Sequence, residues 1–297
     1  MHYAVTLVAP PDAVFVPETV VIHALEPEGV RVVDRQVLCE RAVELKIEAG
    51  DDALPGLRAT VETSVRFFPL DVCVQPWEGR RKRLLVADMD STIIGCECLD
   101  ELADFAGVKA KVAAITERAM RGEIEFDAAL RERVAMIRGL PLGDLERCFS
   151  ERVRLNPGAR TLARTMAAHG ARCVLVSGGF TFFAAKVAEQ AGFHAAMANW
   201  LKVEDDALTG EVGEPILGRE AKLLTLIDEA GALGGGPELA LAIGDGANDL
   251  AMIEAAGLGV AYRAKPLVAA RADARIDRAD LTAALHFQGY REDEFVT

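Results

Sequence analysis

The pair of aspartates Asp88 and Asp90 is the first feature of this sequence that could perform chemistry. One residue separates them, and they directly follow the short apolar run Leu84–Ala87. On an extended turn, side chains two residues apart point the same way, so the two carboxylates can share one cation and one substrate oxygen. Two alternatives are open for the pair alone: an aspartate that caps the next helix, or a plain divalent-metal site.

A second acidic cluster, Gly244–Asp249 with the sequence GDGAND, follows the apolar run 239–243. Its glycines permit a tight turn close to a ligand. The carboxylates of Asp245 and Asp249 are hard oxygen ligands of the kind that Mg²⁺ takes. An ordinary turn rich in glycine, aspartate and asparagine would give the same pattern.

Ser177, Gly178 and Gly179 follow a third apolar run, and a helix should come after them. A hydroxyl group and free backbone amides at the N-terminus of a helix can bind an anion. The same residues are as typical of a capping serine followed by turn glycines. Lys222 comes at the beginning of another predicted helix, where a single lysine usually lies on a solvated face.

The apolar runs before these polar residues have the composition of buried strands. Runs 84–87, 173–176 and 239–243 alternate with long helical segments. This pattern predicts an α/β fold with a Rossmann-like parallel sheet that is covered on both faces. Ligands bind at the carboxyl ends of the strands in such sheets. Amphipathic helical patterns over about residues 99–155 predict a helical cap inserted above that edge.

The first 80 residues show a different pattern. Predicted strands at 3–9, 30–38, 42–48 and 70–74 and helices at 17–25 and 51–65 give the order βαββαβ. This order is typical of a ferredoxin-like α+β domain, in which helices cover one face of an antiparallel sheet. The segment from Gln75 to Arg83 breaks the pattern with proline, glycine and a run of charges. We therefore predict a first domain at 1–76, a linker at 77–83 and a second domain at 84–297.

Composition and charge exclude several classes of protein. The 297 residues are 51% hydrophobic and carry a formal net charge of −13, which argues against a nucleic-acid partner or an anionic membrane surface. No apolar run approaches the roughly 18 residues of a membrane span, and the N-terminus lacks the basic start of a signal peptide, so we expect a cytoplasmic protein. The six cysteines form no CxxC pair, so we expect reduced thiols. The sequence leaves the oligomeric state open, with a homodimer as one alternative.

The order of these four motifs resembles the haloacid dehalogenase superfamily of aspartate-nucleophile phosphatases. The resemblance covers about residues 83–285, and within the superfamily the local sequence is most similar to the phosphoserine phosphatases. The similar stretches also include Glu97, DELA at 100–103, GEIEFDAALRER at 122–133, and 198–199 with 208–210. Residues 1–76 match only in architecture, which is that of ACT-like regulatory domains.

The resemblance implies a reaction through a covalent aspartyl-phosphate. Asp88 would be the nucleophile. Asp90 would be the general acid for the leaving serine oxygen and then the general base for water. The implied cofactor is Mg²⁺, bound by the Asp88 side chain, the Asp90 backbone carbonyl and the Asp245 side chain. Asp249 would orient these ligands.

The resemblance also implies a phosphate-binding site. Ser177, Gly178, Gly179 and Lys222 would bind the phosphoryl oxygens and stabilise the charge that develops on them. Asn248 would position the phosphoryl group or the attacking water.

The implied substrate is a small molecule, O-phospho-L-serine, and the implied reaction is the last step of L-serine biosynthesis. Glu97 suits the ammonium group, Arg133 offers a bidentate fork to the carboxylate, and Phe126 would pack over the substrate. The alternative for Arg133 is a surface ion pair with Glu132 or another neighbour. Two rival functions are open: a phosphatase or phosphotransferase for another phosphorylated metabolite, and a ligand-sensing protein with an inactive catalytic fold.

Overall fold

The structure is a computed structural model that describes residues 1–13, 17–120 and 123–297. Gly122, the first residue of the stretch 122–133, lies outside the described residues. In these ranges the strands are β1 His2–Val8, β2 Arg31–Cys39, β3 Ala42–Glu48, β4 Asp71–Pro76, β5 Leu84–Ala87, β6 Arg172–Phe180, β7 Ala195–Asn199, β8 Leu201–Glu204, β9 Ala207–Val212, β10 Ala240–Gly244, β11 Leu258–Tyr262 and β12 Ala274–Ile276. The helices are α1 Glu18–Leu25, α2 Leu54–Val65, α3 Cys98–Phe105, α4 Lys109–Met120, α5 Phe126–Met136, α6 Leu142–Arg152, α7 Ala159–Ala168, α8 Thr181–Ala191, α9 Arg219–Ala232, α10 Leu250–Ala255, α11 Pro266–Ala269 and α12 Ala283–Phe287. None of these helices is both long enough and apolar enough to cross a membrane.

Six parallel strands form the part of the sheet that carries the candidate residues. Their order is β12-β11-β10-β5-β6-β7. Strands β5, β10 and β11 are buried along their whole length, as expected for apolar strands that are covered on both faces. Because β5 lies between β6 and β10, the ends of these strands bring Asp88, Ser177 and Asp245 to one edge. The predicted α/β fold with a largely parallel sheet is confirmed.

Helices α3 to α6 occupy the region in which the helical cap was predicted, and a hairpin that the sequence did not predict is bonded to it. Strands β8 and β9 form this antiparallel hairpin. The N–H of Gly139 donates to the carbonyl of Leu208 at 2.7 Å, and the N–H of Leu142 donates to the carbonyl of Asp206 at 2.9 Å. These bonds fix the hairpin to the turn between α5 and α6.

Residues 1–76 contribute the elements βαββαβ, with the antiparallel strand order β2-β3-β1-β4. Alternate residues of β1, namely Tyr3, Val5 and Leu7, pack in one cluster with Val21 of α1 and Leu57 of α2. This is the arrangement expected from the two-residue period of a strand whose one face is covered by helices. The assignment of these residues to a separate ACT-like regulatory domain stays a prediction.

The antiparallel and parallel strands join in a single ten-stranded sheet. Strand β4 pairs with β12 through Cys73 and Ala274. Beside this pair, the buried carboxylate of Asp71 accepts hydrogen bonds from the N–H groups of residues 277–279 at 2.7 to 3.2 Å. Residues 1–76 are therefore bonded directly to the parallel part of the sheet.

The predicted linker, 77–83, is irregular in structure but is held by neighbours on both sides. Arg80 forms an ion pair at 3.1 Å with Glu44, whose side chain is buried. The N–H of Lys82 donates to Gln288 Oε1 at 3.0 Å. These contacts tie the linker to β3 and to the C-terminal segment, so it is not a free tether between the two parts of the chain.

The C-terminal segment contains a buried histidine that should make stability depend on pH. His286 is 1% exposed, its Nδ1 lies 3.0 Å from the carbonyl of Tyr290, and its Nε2 lies 3.5 Å from Cys39 Sγ. Burial lowers the pKa of His286 from 6.5 to about 4. Below pH 6.5 the unfolded chain therefore binds a proton that the folded chain excludes, and stability falls as the pH drops towards the folded pKa.

We expect His286→Gln to remove this pH dependence. Between pH 7 and pH 4, the free energy of unfolding of the wild-type chain should fall by up to about 3 kcal/mol more than that of the variant. Urea unfolding across this pH range measures the difference. His2→Gln, which replaces an exposed histidine, is the control and should follow the wild-type curve. Parallel curves for His286→Gln and the wild type would contradict the prediction.

Candidate active site

A buried lysine between two carboxylates is the centre of the site. Lys222 is near the start of α9, and its Nζ lies 2.6 Å from Asp88 Oδ1 and 2.6 Å from Asp249 Oδ1. Its side chain is only 2% exposed. Burial lowers the pKa of Lys222, but the carboxylates of Asp249 and Asp88 together raise it by more, so the lysine stays charged. The alternative of a lysine on a solvated helix face is therefore wrong.

Asp88 lies directly after β5 and keeps one carboxylate oxygen open. Its Oδ1 accepts hydrogen bonds from Lys222 Nζ and from the N–H of Met89, at 2.7 Å for the latter. The bond to Met89 goes to the residue directly after Asp88, whereas a helix cap bonds to the second or third residue of a helix, and the next α-helix begins only at Cys98. Within the residues described, no donor reaches Asp88 Oδ2. This oxygen is free to bind a cation or to attack a substrate.

Asp249 fixes the loop that follows β10. Its Oδ2 accepts the N–H of Asp245 at 3.1 Å and the N–H of Gly246 at 2.9 Å. A Cβ atom at Gly244 would lie 2.4 Å from Asp249 Cγ, so this close approach requires glycine. Both oxygens of Asp249 are thus used to hold other groups in place. Its neighbour Asn248 is half-buried in the same loop.

Three carboxylates offer oxygen atoms to a metal ion. One oxygen each from Asp88, Asp245 and Asp249 lie within 4.8 Å of one another. Thr92 Oγ1 donates to Asp245 Oδ1 at 3.2 Å. Burial and then the charge of Asp249 raise the pKa of Asp245 to about 6, so a cation here would stabilise the ionised form. This set of hard oxygen donors fits Mg²⁺. The expected binding of the metal ion by the Asp90 backbone carbonyl stays a prediction.

Asp90 lies beside the end of β6 and has a pKa suited to proton transfer. Its Oδ1 accepts the N–H of Cys98 at 3.4 Å, and a Cβ atom at Gly179 would lie 2.9 Å from its Oδ2. Burial and then the charge of Glu97 raise the pKa of Asp90 to about 7. Glu97 is itself held by Ser91, whose hydroxyl donates to Oε1 at 2.6 Å. A carboxyl group with this pKa can carry or release a proton near neutral pH.

Ser177, Gly178 and Gly179 lie on the strand and not at the start of a helix. Strand β6 continues to Phe180, and α8 begins at Thr181. The helix expected after these residues is present, but the alternative of a helix-capping serine at Ser177 is wrong, because the backbone stays extended for three more residues. Between Val176 and Phe180 the ladder to β7 shifts its register, so residues 177–179 bulge out of it. We call residues 177–179 the β6 bulge; within it Ser177 Oγ accepts the N–H of Gly179 at 2.9 Å.

The first residue of α5 lies over the β6 bulge. A Cβ atom at Gly178 would lie 3.4 Å from Phe126 Cζ, and one at Gly218 would lie 3.5 Å from Phe126 Cδ1. The ring is 38% exposed, so part of it still faces solvent. The helical cap therefore covers the sheet edge next to Ser177.

Arg133 of α5 is half-buried and lies near the carboxylates of Asp100 and Glu97. Burial lowers its pKa, while the charges of Asp100 and Glu97 act in the opposite direction. The structure shows no ion pair of Arg133 among the residues it describes. Glu132 instead pairs with Arg118 at 3.2 Å. The alternative of a surface ion pair between Arg133 and Glu132 is therefore wrong.

The sequence interpretation gave no role to two polar residues of the site. Thr92 holds Asp245, as described above. Asn199, at the end of β7, donates to the carbonyl of Gly178 at 2.9 Å and accepts the N–H of Leu217 at 2.7 Å. A polar residue at the end of an apolar run was the signal that marked Asp88 and Ser177, and the same signal could have marked Asn199.

Two protein-family models that match this chain describe the same kind of hydrolase. Residues 85–254 match the model of a haloacid dehalogenase-like hydrolase, and residues 222–287 match a second model of that description. A relative from Archaeoglobus fulgidus, named phosphoserine phosphatase, is 40% identical over 242 residues, which are 81% of this chain and 70% of the relative.

Two solved structures resemble this chain over different lengths. A haloacid dehalogenase family hydrolase from Salmonella enterica subsp. enterica serovar Typhi is 28% identical, with a TM-score of 0.82 over 98% of this chain and 99% of that one. A phospho-aspartyl intermediate analogue of phosphoserine phosphatase is 37% identical, with a TM-score of 0.65 over 69% of this chain and 98% of that one. From the matched family model and the identity to these relatives, the chain belongs to the haloacid dehalogenase-like hydrolases.

Proposed function

We propose that this chain is an Mg²⁺-dependent phosphatase that hydrolyses O-phospho-L-serine to L-serine and phosphate through an aspartyl-phosphate. The observation that carries the proposal is the buried contact of Lys222 with Asp88 and Asp249 at the sheet edge. Relatives named phosphoserine phosphatase support the choice of substrate. In this reading the enzyme performs the last step of L-serine biosynthesis.

In the first step, Asp88 attacks the phosphorus atom of the substrate. A bond forms between phosphorus and a carboxylate oxygen of Asp88, and the bond between phosphorus and the seryl oxygen breaks. Asp90 gives its proton to that oxygen, so L-serine leaves as a neutral alcohol. The pKa of Asp90, raised to about 7 by burial and Glu97, supports this role because a useful fraction of the carboxyl group is protonated at neutral pH.

In the second step, Asp90 acts in the opposite direction. Its carboxylate takes a proton from a water molecule, whose oxygen attacks the phosphorus atom. The bond between phosphorus and Asp88 breaks, and inorganic phosphate leaves. Dividing one difficult displacement into two easier ones is the general advantage of covalent catalysis.

Lys222 and the β6 bulge bind the phosphoryl oxygens in both steps. The charged lysine, the Ser177 hydroxyl and the backbone N–H of Gly178 stabilise negative charge where it develops. Asn248 positions the phosphoryl group or the attacking water. When bound by Asp88, Asp245 and the Asp90 carbonyl, Mg²⁺ supplies Lewis-acid stabilisation of the phosphoryl charge.

Residues of the cap and the adjoining loop distinguish phosphoserine from a simple phosphate ester. Arg133 binds the substrate carboxylate, and Glu97 binds the ammonium group. Phe126 packs over the substrate and excludes water. The closest rival function is hydrolysis of another small phosphorylated metabolite, which would use the same Asp88 chemistry.

A substrate panel tests the proposal directly. Phosphate release is measured from phosphoserine, phosphothreonine and a sugar phosphate, each with Mg²⁺ and with excess chelator. The proposal expects the highest kcat/KM for phosphoserine and loss of activity with the chelator. A higher kcat/KM for the sugar phosphate would favour the rival function. No hydrolysis of any ester would favour a ligand-sensing protein.

We expect Asp88→Asn to abolish turnover. The substitution keeps the size of the side chain but removes the attacking anion, and a fall of at least about 10⁴-fold in kcat is expected. Asp71→Asn is the matched control, since Asp71 is also a buried carboxylate but lies outside the site. Its folded protein should keep wild-type kcat. Phosphate release by Asp88→Asn at the wild-type rate would show that the covalent mechanism is wrong.

We expect Arg133→Ala to act mainly on phosphoserine. Loss of the ion pair to the substrate carboxylate should reduce kcat/KM for phosphoserine by about 30-fold or more, since truncating one partner of a buried charge pair costs about 2–5 kcal/mol. An aryl phosphate has no such carboxylate, so its kcat/KM should change little.

Arg131→Ala is the control for this prediction, because Arg131 is on the same helix but pairs with Glu214 at the surface. It should leave both substrates unaffected. Equal losses on phosphoserine and the aryl phosphate in a normally folded Arg133→Ala protein would remove Arg133 from the specificity site.

A further inference from the structure

Asn199 is a buried amide that bonds to two separate parts of the site. It is 1% exposed at the end of β7. Its Nδ2 donates to the carbonyl of Gly178 at 2.9 Å and to the carbonyl of Leu217 at 3.2 Å. Its Oδ1 accepts the N–H of Leu217 at 2.7 Å. These three bonds use the amide oxygen as an acceptor and the Nδ2 group as a donor twice, so the orientation of the amide is fixed.

The first of these parts is the β6 bulge, which lacks the usual support of a strand. Because the register shifts between Val176 and Phe180, the backbone of the β6 bulge is not held by a regular ladder to β7. The side chain of Asn199 takes over one of the missing bonds, at the carbonyl of Gly178. The direction of the backbone on either side of Gly178, and with it the position of the Ser177 hydroxyl, therefore depends on this bond.

The second part is the segment that leads into α9. Gly218 precedes the first residue of α9, and Lys222 follows within the first turns. The two bonds to Leu217 therefore fix the backbone immediately before the helix that carries the lysine. The Phe126 ring lies next to both Gly178 and Gly218, so the two parts lie side by side under the cap.

We propose that Asn199 is a positioning residue for phosphoryl transfer. It sets the separation between the β6 bulge and the start of α9, and so the distance from the Ser177 hydroxyl to Lys222 Nζ. The inference rests on the proposed function in one respect, which is that the Ser177 hydroxyl and Lys222 both bind the phosphoryl oxygens. The bonds of the Asn199 amide go to backbone groups of Gly178 and Leu217, so the role proposed for it is positional. Its effect is geometric, because a displacement of about 1 Å between catalytic groups can cost about 10²-fold in rate.

The test compares Asn199→Ala with Gln288→Ala. Gln288 is a matched control: it is fully buried, accepts the N–H of Lys82 and donates to the carbonyl of Ala284, and lies outside the site. Both variants lose bonds to buried backbone groups, so both should unfold at a lower temperature than the wild type. The measurements are Tm, kcat with an aryl phosphate, and the inhibition constant of inorganic phosphate, taken at a temperature where each protein is folded.

We expect Asn199→Ala to lower kcat by about 10- to 100-fold and to weaken inhibition by inorganic phosphate, whereas Gln288→Ala should change only Tm. Asn199→Leu provides a second variant if Asn199→Ala does not fold. It keeps about the size of the side chain and adds no charge beside the phosphate site, but it loses the bonds to Gly178 and Leu217, and it should show the same loss of kcat and phosphate affinity.

A folded Asn199 variant with wild-type kcat and wild-type inhibition by phosphate would overturn the inference, whatever its Tm. So would an equal loss of kcat in Gln288→Ala, since the effect would then follow stability alone. Because the comparison uses an aryl phosphate, it does not depend on the choice of phosphoserine as substrate. A wild-type chain that hydrolyses the aryl phosphate but not phosphoserine would refute the proposed substrate and leave this test valid.

Discussion

The contact of one buried ammonium group with two carboxylates determines how the site is arranged. A charge removed from water is costly unless it is paired and hydrogen-bonded. Lys222, Asp88 and Asp249 come from α9, the end of β5 and the loop after β10, and each Nζ to oxygen distance is 2.6 Å. None of these three elements can move away without leaving a buried charge unpaired. The relative positions of the two sequence motifs that carry the aspartates follow from this constraint.

The same principle separates structural carboxylates from reactive ones in this chain. Asp71 is buried at the junction of the antiparallel and parallel strands, and both of its oxygens accept backbone N–H groups. Both oxygens of Asp249 are likewise bonded, to Lys222 and to two N–H groups. Asp88 is also buried, but no donor among the described residues bonds to its Oδ2. A buried carboxylate with an unused oxygen at a sheet edge is the exception that indicates chemistry.

The sequence predicted the parallel sheet and the edge at which the motifs meet, because continuous apolar runs such as Leu84–Ala87 are typical of strands that are covered on both faces. The predicted strand ends and elements were less accurate where tertiary contacts override the local sequence pattern. The strand end at Ser177 was placed too early, since the backbone continues extended to Phe180. Hairpin β8–β9 escaped prediction because its strands are short, are only partly buried and carry charged residues. The pairing of Lys222 with Asp249 joins residues 27 positions apart, and no local pattern encodes it.

Charge balance shows why the proposed cation and the proton on Asp90 belong to the same mechanism. Among the described residues, the proposed catalytic and substrate-binding set contains five carboxylates and two basic side chains: Asp88, Asp90, Glu97, Asp245 and Asp249 against Lys222 and Arg133. With all of them ionised the group carries a charge of about −3, which would repel a phosphate dianion. A bound Mg²⁺ and one proton on Asp90 together bring the sum to zero. Burial and then the neighbouring negative charges raise the pKa values of Asp90 and Asp245 to about 7 and about 6. In the proposed mechanism, the proton that neutralises Asp90 is therefore the same proton that the leaving group needs.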